Sequence, residues 1–175
     1  MSRAPVLIIL GGLSGVGKSS IARELARQIG AIHVRIDSIE QALRNCGKLS
    51  GPMDDAGYRA AYTIAEKNLR AGRTVVADCV NSIQVTREAW REVGRRVRAK
   101  VLEVEIVCSD QVEHRRRVED RQTDIPGLKL PTWQEVLNRE YDAWDREHLI
   151  IDTANSNIDF AVTEIRVELR RRMSS

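Results

Sequence analysis

One stretch near the beginning of the chain limits its possible folds more than any other. Residues 6–20, VLIILGGLSGVGKSS, join a short apolar run to a glycine-rich segment that ends in a lysine and two serines. An apolar run of this length is typical of a buried strand, and Ile21, Leu25 and Ile29 follow with the spacing of a helix. The sequence therefore predicts a strand, a tight glycine loop and a helix in immediate succession.

The glycine loop matches the P-loop pattern Gly-x4-Gly-Lys-Ser. Glycines in this pattern let consecutive backbone N–H groups surround phosphate oxygens, and the N-terminus of the following helix adds its positive dipole. Lys18 is expected to reach the β- and γ-phosphates of a nucleotide, and the Ser19 hydroxyl to bind Mg²⁺. The predicted ATP-binding residues of the loop are Gly12, Ser14, Gly15, Val16, Gly17, Lys18, Ser19 and Ser20. The alternative is an ordinary strand-to-helix turn with an exposed lysine.

Composition narrows the class of protein. The chain has 175 residues, 42% of them hydrophobic and 30% charged, which is the length and balance of one domain with its own core. The formal net charge of +3 is low for a nucleic-acid-binding domain and disfavours that partner. The three cysteines lack the spacing of a disulfide framework or zinc site, and no apolar run suits a signal peptide or membrane span. We expect a cytoplasmic protein, monomeric or homodimeric, that binds no membrane.

Alternating apolar runs and helical patterns predict the fold class. Five runs have the length of buried strands: Val6–Leu10, Ile32–Ile36, Thr74–Ala77, Val101–Val107 and Leu149–Ile151. Helical patterns lie between them, which is typical of a parallel sheet covered on both faces. The sequence predicts a single α/β domain over residues 1–175, a three-layer P-loop NTPase fold with a five-stranded parallel sheet and a helical lid.

The lid is predicted from a segment that is too long and too charged for one crossover helix. Residues 113–145 separate the fourth and fifth predicted strands. Pro131 and a Thr132–Glu135 capping box predict that the second of two lid helices begins there. Residues 45–57, NCGKLSGPMDDAG, form a second interruption and are predicted to be a loop.

Two aspartates follow predicted strands at the edge of the sheet where the P-loop lies. Asp37 could accept the proton of an attacking hydroxyl or hold Mg²⁺ through water, and it could instead form a helix capping box with Glu40. Asp78 closes an apolar strand like a Walker B carboxylate and is predicted to bind Mg²⁺; an ordinary turn aspartate is the alternative. Asn81 either contacts substrate or closes the turn.

The lid carries a group of arginines suited to phosphate. Arg117 and Arg121 are four residues apart, so they are predicted to share a helix face and to contact the triphosphate. A solvated basic face paired with the neighbouring acidic side chains is the alternative. After the fifth strand, the loop IDTANSN is predicted to contact adenine, with Asp152 and Thr153 as nucleotide-binding residues.

These segments together resemble the small P-loop kinases of the AAA_33 type, a group that contains chloramphenicol phosphotransferase, gluconate kinase and zeta-type toxins. The resemblance lies in GGLSGVGKSS, RIDSIEQAL, TVVADCVN, RRRVEDRQTDIPGL and IDTAN. It implies that Asp37 is the base toward an acceptor hydroxyl, that Arg117 and Arg121 are the lid arginines, and that residues 15–20 contact phosphate. The segment NCGKLSGPMDDAGYRAAY matches no acceptor motif.

The resulting prediction is an ATP-dependent phosphotransferase that moves the γ-phosphate of Mg-ATP to a hydroxyl of a small molecule. Its predicted catalytic residues are Lys18, Asp37, Arg117 and Arg121, and its predicted metal-binding residues are Ser19, Asp37 and Asp78. Candidates for the acceptor pocket are Arg44, Tyr58, Arg59 and Tyr62, although the tyrosines could equally pack in the core. The alternatives are a nucleotide or RNA-end kinase and a non-catalytic, ATP-dependent binding or regulatory module.

Overall fold

The computed structural model of the protein describes residues 4–47 and 55–174 and is centred on a five-stranded parallel sheet. The strands are β1 (Val6–Gly11), β2 (Ile32–Arg35), β3 (Val75–Asp78), β4 (Lys100–Val107) and β5 (Leu149–Asp152). The helices are α1 (Lys18–Ile29), α2 (Ile36–Asn45), α3 (Ala56–Arg70), α4 (Gln84–Arg96), α5 (Gln111–Glu119), α6 (Trp133–Leu137) and α7 (Ile158–Met173). The predicted α/β class and parallel sheet are confirmed.

The strand order places the glycine loop at a crevice. The sheet runs β2-β3-β1-β4-β5, so β1 is central and pairs with β3 on one side and β4 on the other. From β1 the chain passes through α1 toward β2, whereas the later crossover through α4 leads to the opposite half of the sheet. Ligands of open α/β sheets bind where the strand order reverses in this way, beyond the carboxyl ends of the strands.

Alternation along β1 divides the core into two layers. Leu7 and Ile9 face one layer and Ile8 and Leu10 face the other, because successive side chains of a strand point to opposite faces. The first layer includes residues of α2, α3 and α4, and the second includes residues of α1 and α7. All four of these β1 side chains are fully buried, so the strand that carries the loop is held rigidly from both sides.

The sequence-based boundaries need three adjustments. Ile36 begins α2 instead of ending β2, and α5 ends at Glu119, earlier than the predicted helix that was to carry Arg121. The capping box at Thr132 is present, although α6 is only five residues long. Residues 48–54 of the predicted loop 45–57 lie outside the described residues. No helix in the described parts of the chain is long and apolar enough to cross a membrane.

Candidate nucleotide and acceptor site

The loop after β1 presents free backbone donors at the beginning of α1. Gly17 is the N-cap residue, and in the described chain no side chain caps the first N–H groups of this helix. Uncapped N–H groups at a helix N-terminus are a ready site for an anion. The loop is also pressed against the lid helix, because a Cβ on Gly15, where φ is +84°, would lie 2.5 Å from Val118 Cγ2. A larger residue at position 15 is therefore excluded by both conformation and space.

Lys18 lies in an electrostatically unusual position at this helix end. The side chain is buried, and its Nζ donates a hydrogen bond of 2.8 Å to Leu13 O. Burial lowers the pKa of Lys18 below its ordinary value, although the negative charges of Asp78 and Asp37 oppose that shift. The ammonium group is thus held inside the loop, between two carboxylates and close to the free backbone donors.

Asp78 is placed beside Ser19 and Lys18, at the end of β3. Burial alone would raise the pKa of Asp78, but the hydrogen bond with His33, the charge of Lys18 and the nearby Ser19 hydroxyl together lower it below its ordinary value. His33 Nε2 lies 3.1 Å from Asp78 Oδ2, and Arg35 Nε lies 3.8 Å from the same oxygen. These two partners were not predictable from sequence, because the pattern around His33 and Arg35 indicates only a strand.

A cationic cavity of about 330 Å³ opens over the loop, and we call it the P-loop cavity. Arg117 and Arg121 both line it, but they do not share the predicted helix face because Arg121 lies beyond the end of α5. The full lining consists of Gly15, Gly17, Lys18, Ser19, Ser20, Arg23, Arg35, Arg117, Arg121, Gln122 and Asp124. Among the described residues, four arginines and one lysine therefore surround this space, opposed by a single carboxylate.

The carboxylate of Asp124, in the loop after α5, pairs with two arginines across the P-loop cavity. Asp124 Oδ1 accepts a 2.8 Å bond from Arg35 Nη1, and its Oδ2 accepts a 2.7 Å bond from Arg23 Nη2. The bond from Arg35 is the main cause of the lowered pKa of Asp124. Sequence reasoning missed this contact, because the partners are 89 and 101 residues apart along the chain.

The remaining arginines of α5 are engaged at the surface. Arg115 pairs with Glu119 and Arg116 pairs with Glu113, both at 2.8 Å or less, and both arginines are exposed. The alternative interpretation of a solvated basic face thus describes these two. Arg117 differs, because its guanidinium also reaches Thr153, donating 2.9 Å and 3.0 Å bonds to the hydroxyl and carbonyl oxygens.

Thr153 and Asp152 behave differently although they are adjacent. The Thr153 hydroxyl donates a 2.7 Å hydrogen bond to Val16 O. Thr153 also lines another cavity, of about 830 Å³, beside α1 and the start of α7, which we call the β5 cavity. Asp152 does not line that cavity. Its Oδ1 accepts 3.0 Å bonds from the backbone N–H groups of Ser109 and Ala154. The Asp152 carboxylate therefore closes the loop that presents Thr153.

Asp37 lines a separate cavity of about 300 Å³, which we call the α2 cavity. Its lining is Leu13, Ser14, Ile36, Asp37, Glu40, Arg44, Tyr58, Val80, Leu128, Lys129, Leu130, Pro131, Glu135, Val136 and Arg139. Asp37 is half-buried in the first turn of α2, and no side chain caps that helix, so the alternative of an Asp37–Glu40 capping box is wrong. Ser14 lines this cavity and Gly15 lines the P-loop cavity, so the peptide that joins these two residues borders both spaces.

The predicted acceptor residues divide into two groups. Arg44 and Tyr58 line the α2 cavity, and the Tyr58 hydroxyl accepts a 3.2 Å bond from the backbone N–H of Asn81. Arg59 is exposed and pairs with Asp55, and Tyr62 packs edge-on against the buried Trp90 with ring centroids 4.7 Å apart. Arg44 and Tyr58 thus line the α2 cavity, whereas Tyr62 packs against the core, which was the alternative prediction for it.

Asn81 and His114 have structural roles close to the site. Asn81 is fully buried in the turn after β3 with φ of +50°, its carbonyl oxygen accepts a 3.0 Å bond from Arg87 Nε, and it is not among the residues that line the P-loop cavity or the α2 cavity. His114, which the sequence left as a core or surface residue, is buried on α5, and its Nε2 donates a 2.7 Å hydrogen bond to Ser14 O. This bond holds the lid helix against the peptide that borders both cavities.

These observations define a P-loop NTPase fold, with the phosphate loop on the central strand of a parallel sheet. A family model described as an AAA domain matches residues 7–139, and the chain belongs to that family.

Solved structures with the same fold include two kinases. The APS kinase CysC of Mycobacterium tuberculosis, determined with AMPPNP and APS, has a TM-score of 0.73 and 20% identity, covering 96% of this chain and 99% of that one. A gluconokinase from Sinorhizobium meliloti has a TM-score of 0.67 and 20% identity, covering 98% and 95%.

Among curated proteins, an uncharacterized Mycobacterium tuberculosis protein is 33% identical over 75 residues. The match covers 40% of this chain and only 15% of that longer relative.

Proposed function

We propose that the protein is an ATP-dependent phosphotransferase that moves the γ-phosphate of Mg-ATP to a hydroxyl group of a small molecule. The observation that carries this proposal is that the Ser14–Gly15 peptide borders both cavities. One cavity is cationic and surrounds the free donors of the P-loop, and the other contains a half-buried carboxylate, Asp37. Phosphoryl transfer needs this arrangement of a phosphate clamp next to a base for the attacking hydroxyl.

The residues beside Lys18 fit a magnesium ion. Mg²⁺ prefers oxygen ligands and is usually held by one or two carboxylates together with substrate phosphates and water. The Ser19 hydroxyl lies next to the Asp78 carboxylate, and the charge of Asp37 is close enough to affect the pKa of Lys18. Residues 4–47 and 55–174 contain no cluster of three or more His, Cys, Asp or Glu that could hold a metal ion by themselves, which agrees with an ion held jointly with phosphates. Bound there, the ion would neutralise charge on the β- and γ-phosphates.

In the proposed reaction each group has one task. Asp37 accepts the proton of the acceptor hydroxyl while that oxygen forms a bond to the γ-phosphorus. The bond between this phosphorus and the β,γ-bridging oxygen breaks, and ADP leaves. Lys18, Arg117 and Arg121 stabilise the charge on the transferred phosphoryl group and on the departing ADP. Electrostatic stabilisation and positioning supply most of the catalysis in such reactions.

The nucleoside is proposed to occupy the β5 cavity. Gly17, Ser20 and Arg117 line both the P-loop cavity and this larger space, and Thr153 lines the larger space. Asp152 would then support binding indirectly, by holding the loop in shape. The solved APS kinase with AMPPNP supports ATP as the nucleotide by analogy of fold.

The experiment that tests the function is ADP release from Mg-ATP with and without sugars, amino alcohols, nucleosides and hydroxyl-bearing antibiotics. Stimulation by one class of compound, with one phosphorylated product per ADP, is the expected result. Tight ATP binding with no stimulation by any class would contradict the proposal and favour the non-catalytic binding module.

A further inference from the structure

Two buried glutamates of this protein differ in whether the carboxylate has a hydrogen-bond partner. Glu40 and Glu103 are each only 7% exposed. Glu103 accepts 3.0 Å bonds at both carboxylate oxygens from Arg91 Nε, so its charge is compensated. Glu40 forms no hydrogen bond or ion pair with the described residues, and its Oε1 is entirely out of contact with solvent. A buried polar group normally has a partner, so the exception at Glu40 requires an explanation.

The absence of a side chain at Gly57 leaves space for the Glu40 carboxylate. Glu40 lies on α2 and packs against the bare backbone of Gly57 on α3, where a Cβ would lie 2.3 Å from Glu40 Cγ and 2.9 Å from Oε1. Any other residue at position 57 would force the carboxylate to move. An apolar residue at position 40 would suit this helix contact better, since burying an uncompensated carboxyl is costly.

Glu40 also lines the α2 cavity, one helical turn beyond Asp37. Residues three apart lie on the same face of a helix, so the two carboxyl groups face the cavity together. Burial raises the pKa of Glu40, and the neighbouring charge of Asp37 raises it further, whereas Arg44 and Arg139 act in the opposite direction. A ligand that donates a hydrogen bond to the Glu40 carboxylate would therefore reduce the free-energy cost of burying it.

The other polar groups of the cavity are already accounted for or lie at its rim. The Glu135 carboxylate is taken up by the Thr132 capping box, through a 2.7 Å bond from the Thr132 backbone N–H. Arg44, Lys129 and Arg139 are exposed. Most of the remaining lining is apolar, from residues such as Leu13, Val80 and Val136. Within the described lining, Glu40 is therefore the buried polar group that is still without a partner.

We propose that Glu40 is a specificity-determining residue that binds a hydrogen-bond donor of the acceptor, adjacent to the hydroxyl that Asp37 deprotonates. The acceptor is then a vicinal diol or a vicinal amino alcohol on an otherwise largely apolar body, and a compound with one isolated hydroxyl is a poor substrate. This inference rests on the proposed function for the identity of the reaction, but the binding role of Glu40 is testable without turnover.

The test uses the full chain and two matched variants, Glu40→Gln and Glu103→Gln. Binding of matched compound pairs is measured by thermal shift in the presence of AMPPNP and Mg²⁺. Each pair contains a vicinal diol, or a vicinal amino alcohol, and the same compound without the second group. Wild-type protein and Glu103→Gln should prefer the member with the second donor. Glu40→Gln should bind that member roughly 10- to 100-fold more weakly, with unchanged ATP affinity, because a charge-assisted hydrogen bond is lost.

A second readout separates a binding role from a structural one. Glu40→Gln should raise the Tm of the free protein while weakening acceptor binding, and Glu103→Gln should lower the Tm without changing acceptor binding. The diol and amino-alcohol arms distinguish a hydroxyl donor from an ammonium donor. If no compound with a second donor binds more tightly to wild-type protein than to Glu40→Gln, the proposal is overturned.

Failure of this inference is distinguishable from failure of the proposed function. Phosphate transfer with equal acceptor KM in wild-type protein and Glu40→Gln would remove the role of Glu40 and leave the kinase intact. If ligand binding depends on Glu40 but no phosphate is transferred, Glu40 keeps its proposed binding role and the proposed phosphotransferase function is contradicted.

Discussion

The P-loop cavity and the α2 cavity share one peptide but are built in different ways. The P-loop cavity uses backbone N–H groups, a buried lysine and arginines, and its single carboxylate, Asp124, is already paired with Arg23 and Arg35. The α2 cavity is lined by side chains from α2, α3 and the lid, and it contains a buried carboxyl without a partner. If the proposed function holds, the phosphate donor is bound by backbone N–H groups and basic side chains, whereas selection of the acceptor depends on the carboxyl and apolar side chains of the α2 cavity.

The largest effect that this comparison predicts is at Lys18. Lys18→Ala should reduce phosphate transfer by about 10³-fold or more, because the charge nearest the β- and γ-phosphates is removed. Acceptor binding to the α2 cavity should be unchanged, and the protein should stay folded because a desolvated charge is lost. Steady-state kinetics with circular dichroism checks this, with exposed Lys67→Ala as the control. Turnover equal to that of wild-type protein would contradict the assignment of the P-loop cavity.

Asp37 lines the α2 cavity and its charge acts on Lys18 of the P-loop, so its substitution should separate catalysis from binding. Asp37→Asn should lower kcat by roughly 10²- to 10⁴-fold, the usual contribution of a general base, and change the Kd of ATP little. Isothermal titration with AMPPNP and single-turnover kinetics measure the two quantities. If phosphate transfer survives this change, the base must be another group, and if no transfer exists in either protein, the binding module is favoured.

Substitution of a lid arginine should have a smaller effect on activity, and the effect should depend on whether that arginine lines the P-loop cavity. Arg121→Ala should lower kcat/KM for ATP by roughly 10- to 100-fold, because Arg121 lines the P-loop cavity and its charge influences Lys18. Arg115→Ala is the matched control, because Arg115 is exposed and pairs only with Glu119. Equal effects of the two substitutions would show that the lid acts through its overall charge instead of through its position.

The smallest predicted effect concerns stability on the acceptor side. The raised pKa of Glu40 means that the folded protein holds this proton more tightly than the unfolded chain does, so its contribution to stability falls as pH rises above the unfolded value of 4.5. The charged groups facing Glu40 are Asp37, Arg44 and Arg139. Glu40→Gln should therefore be more stable than wild-type protein at neutral pH, by about 1 kcal/mol, or roughly 2–4 °C in Tm. The difference should shrink toward pH 4. Urea unfolding at several pH values measures it, and a destabilised Glu40→Gln at pH 7 would contradict the prediction.

Local patterns explain why the sequence predicted so much of the donor side. The P-loop, its strand and its helix are contiguous from Val6 to Ile29, and Asp78 closes an apolar strand whose position in a parallel sheet follows from the alternation of elements. The capping box at Thr132 is likewise a contiguous signal. Such features depend on residues that are close in the sequence, where spacing alone carries the information.

The rest depends on contacts between distant segments. Asp124 meets Arg23 and Arg35 across the P-loop cavity, His114 meets Ser14 over 100 residues, and Glu40 meets Gly57 between two helices. No spacing in the sequence indicates these pairs. The shared helix face of Arg117 and Arg121 was a wrong prediction for a related reason, since the end of α5 at Glu119 was not marked by a glycine or proline.

In the proposed reaction a γ-phosphate passes from the P-loop cavity to a hydroxyl held beside Asp37. The most direct test is a single-turnover reaction of wild-type protein and Asp37→Asn with Mg-ATP and a vicinal diol and amino-alcohol panel, followed by mass spectrometry of both nucleotide and acceptor. We expect one phosphorylated acceptor for each ADP with wild-type protein, and a product that forms at least about 100-fold more slowly with Asp37→Asn. ATP that remains intact with every compound, or ADP that forms without a phosphorylated acceptor, would contradict it.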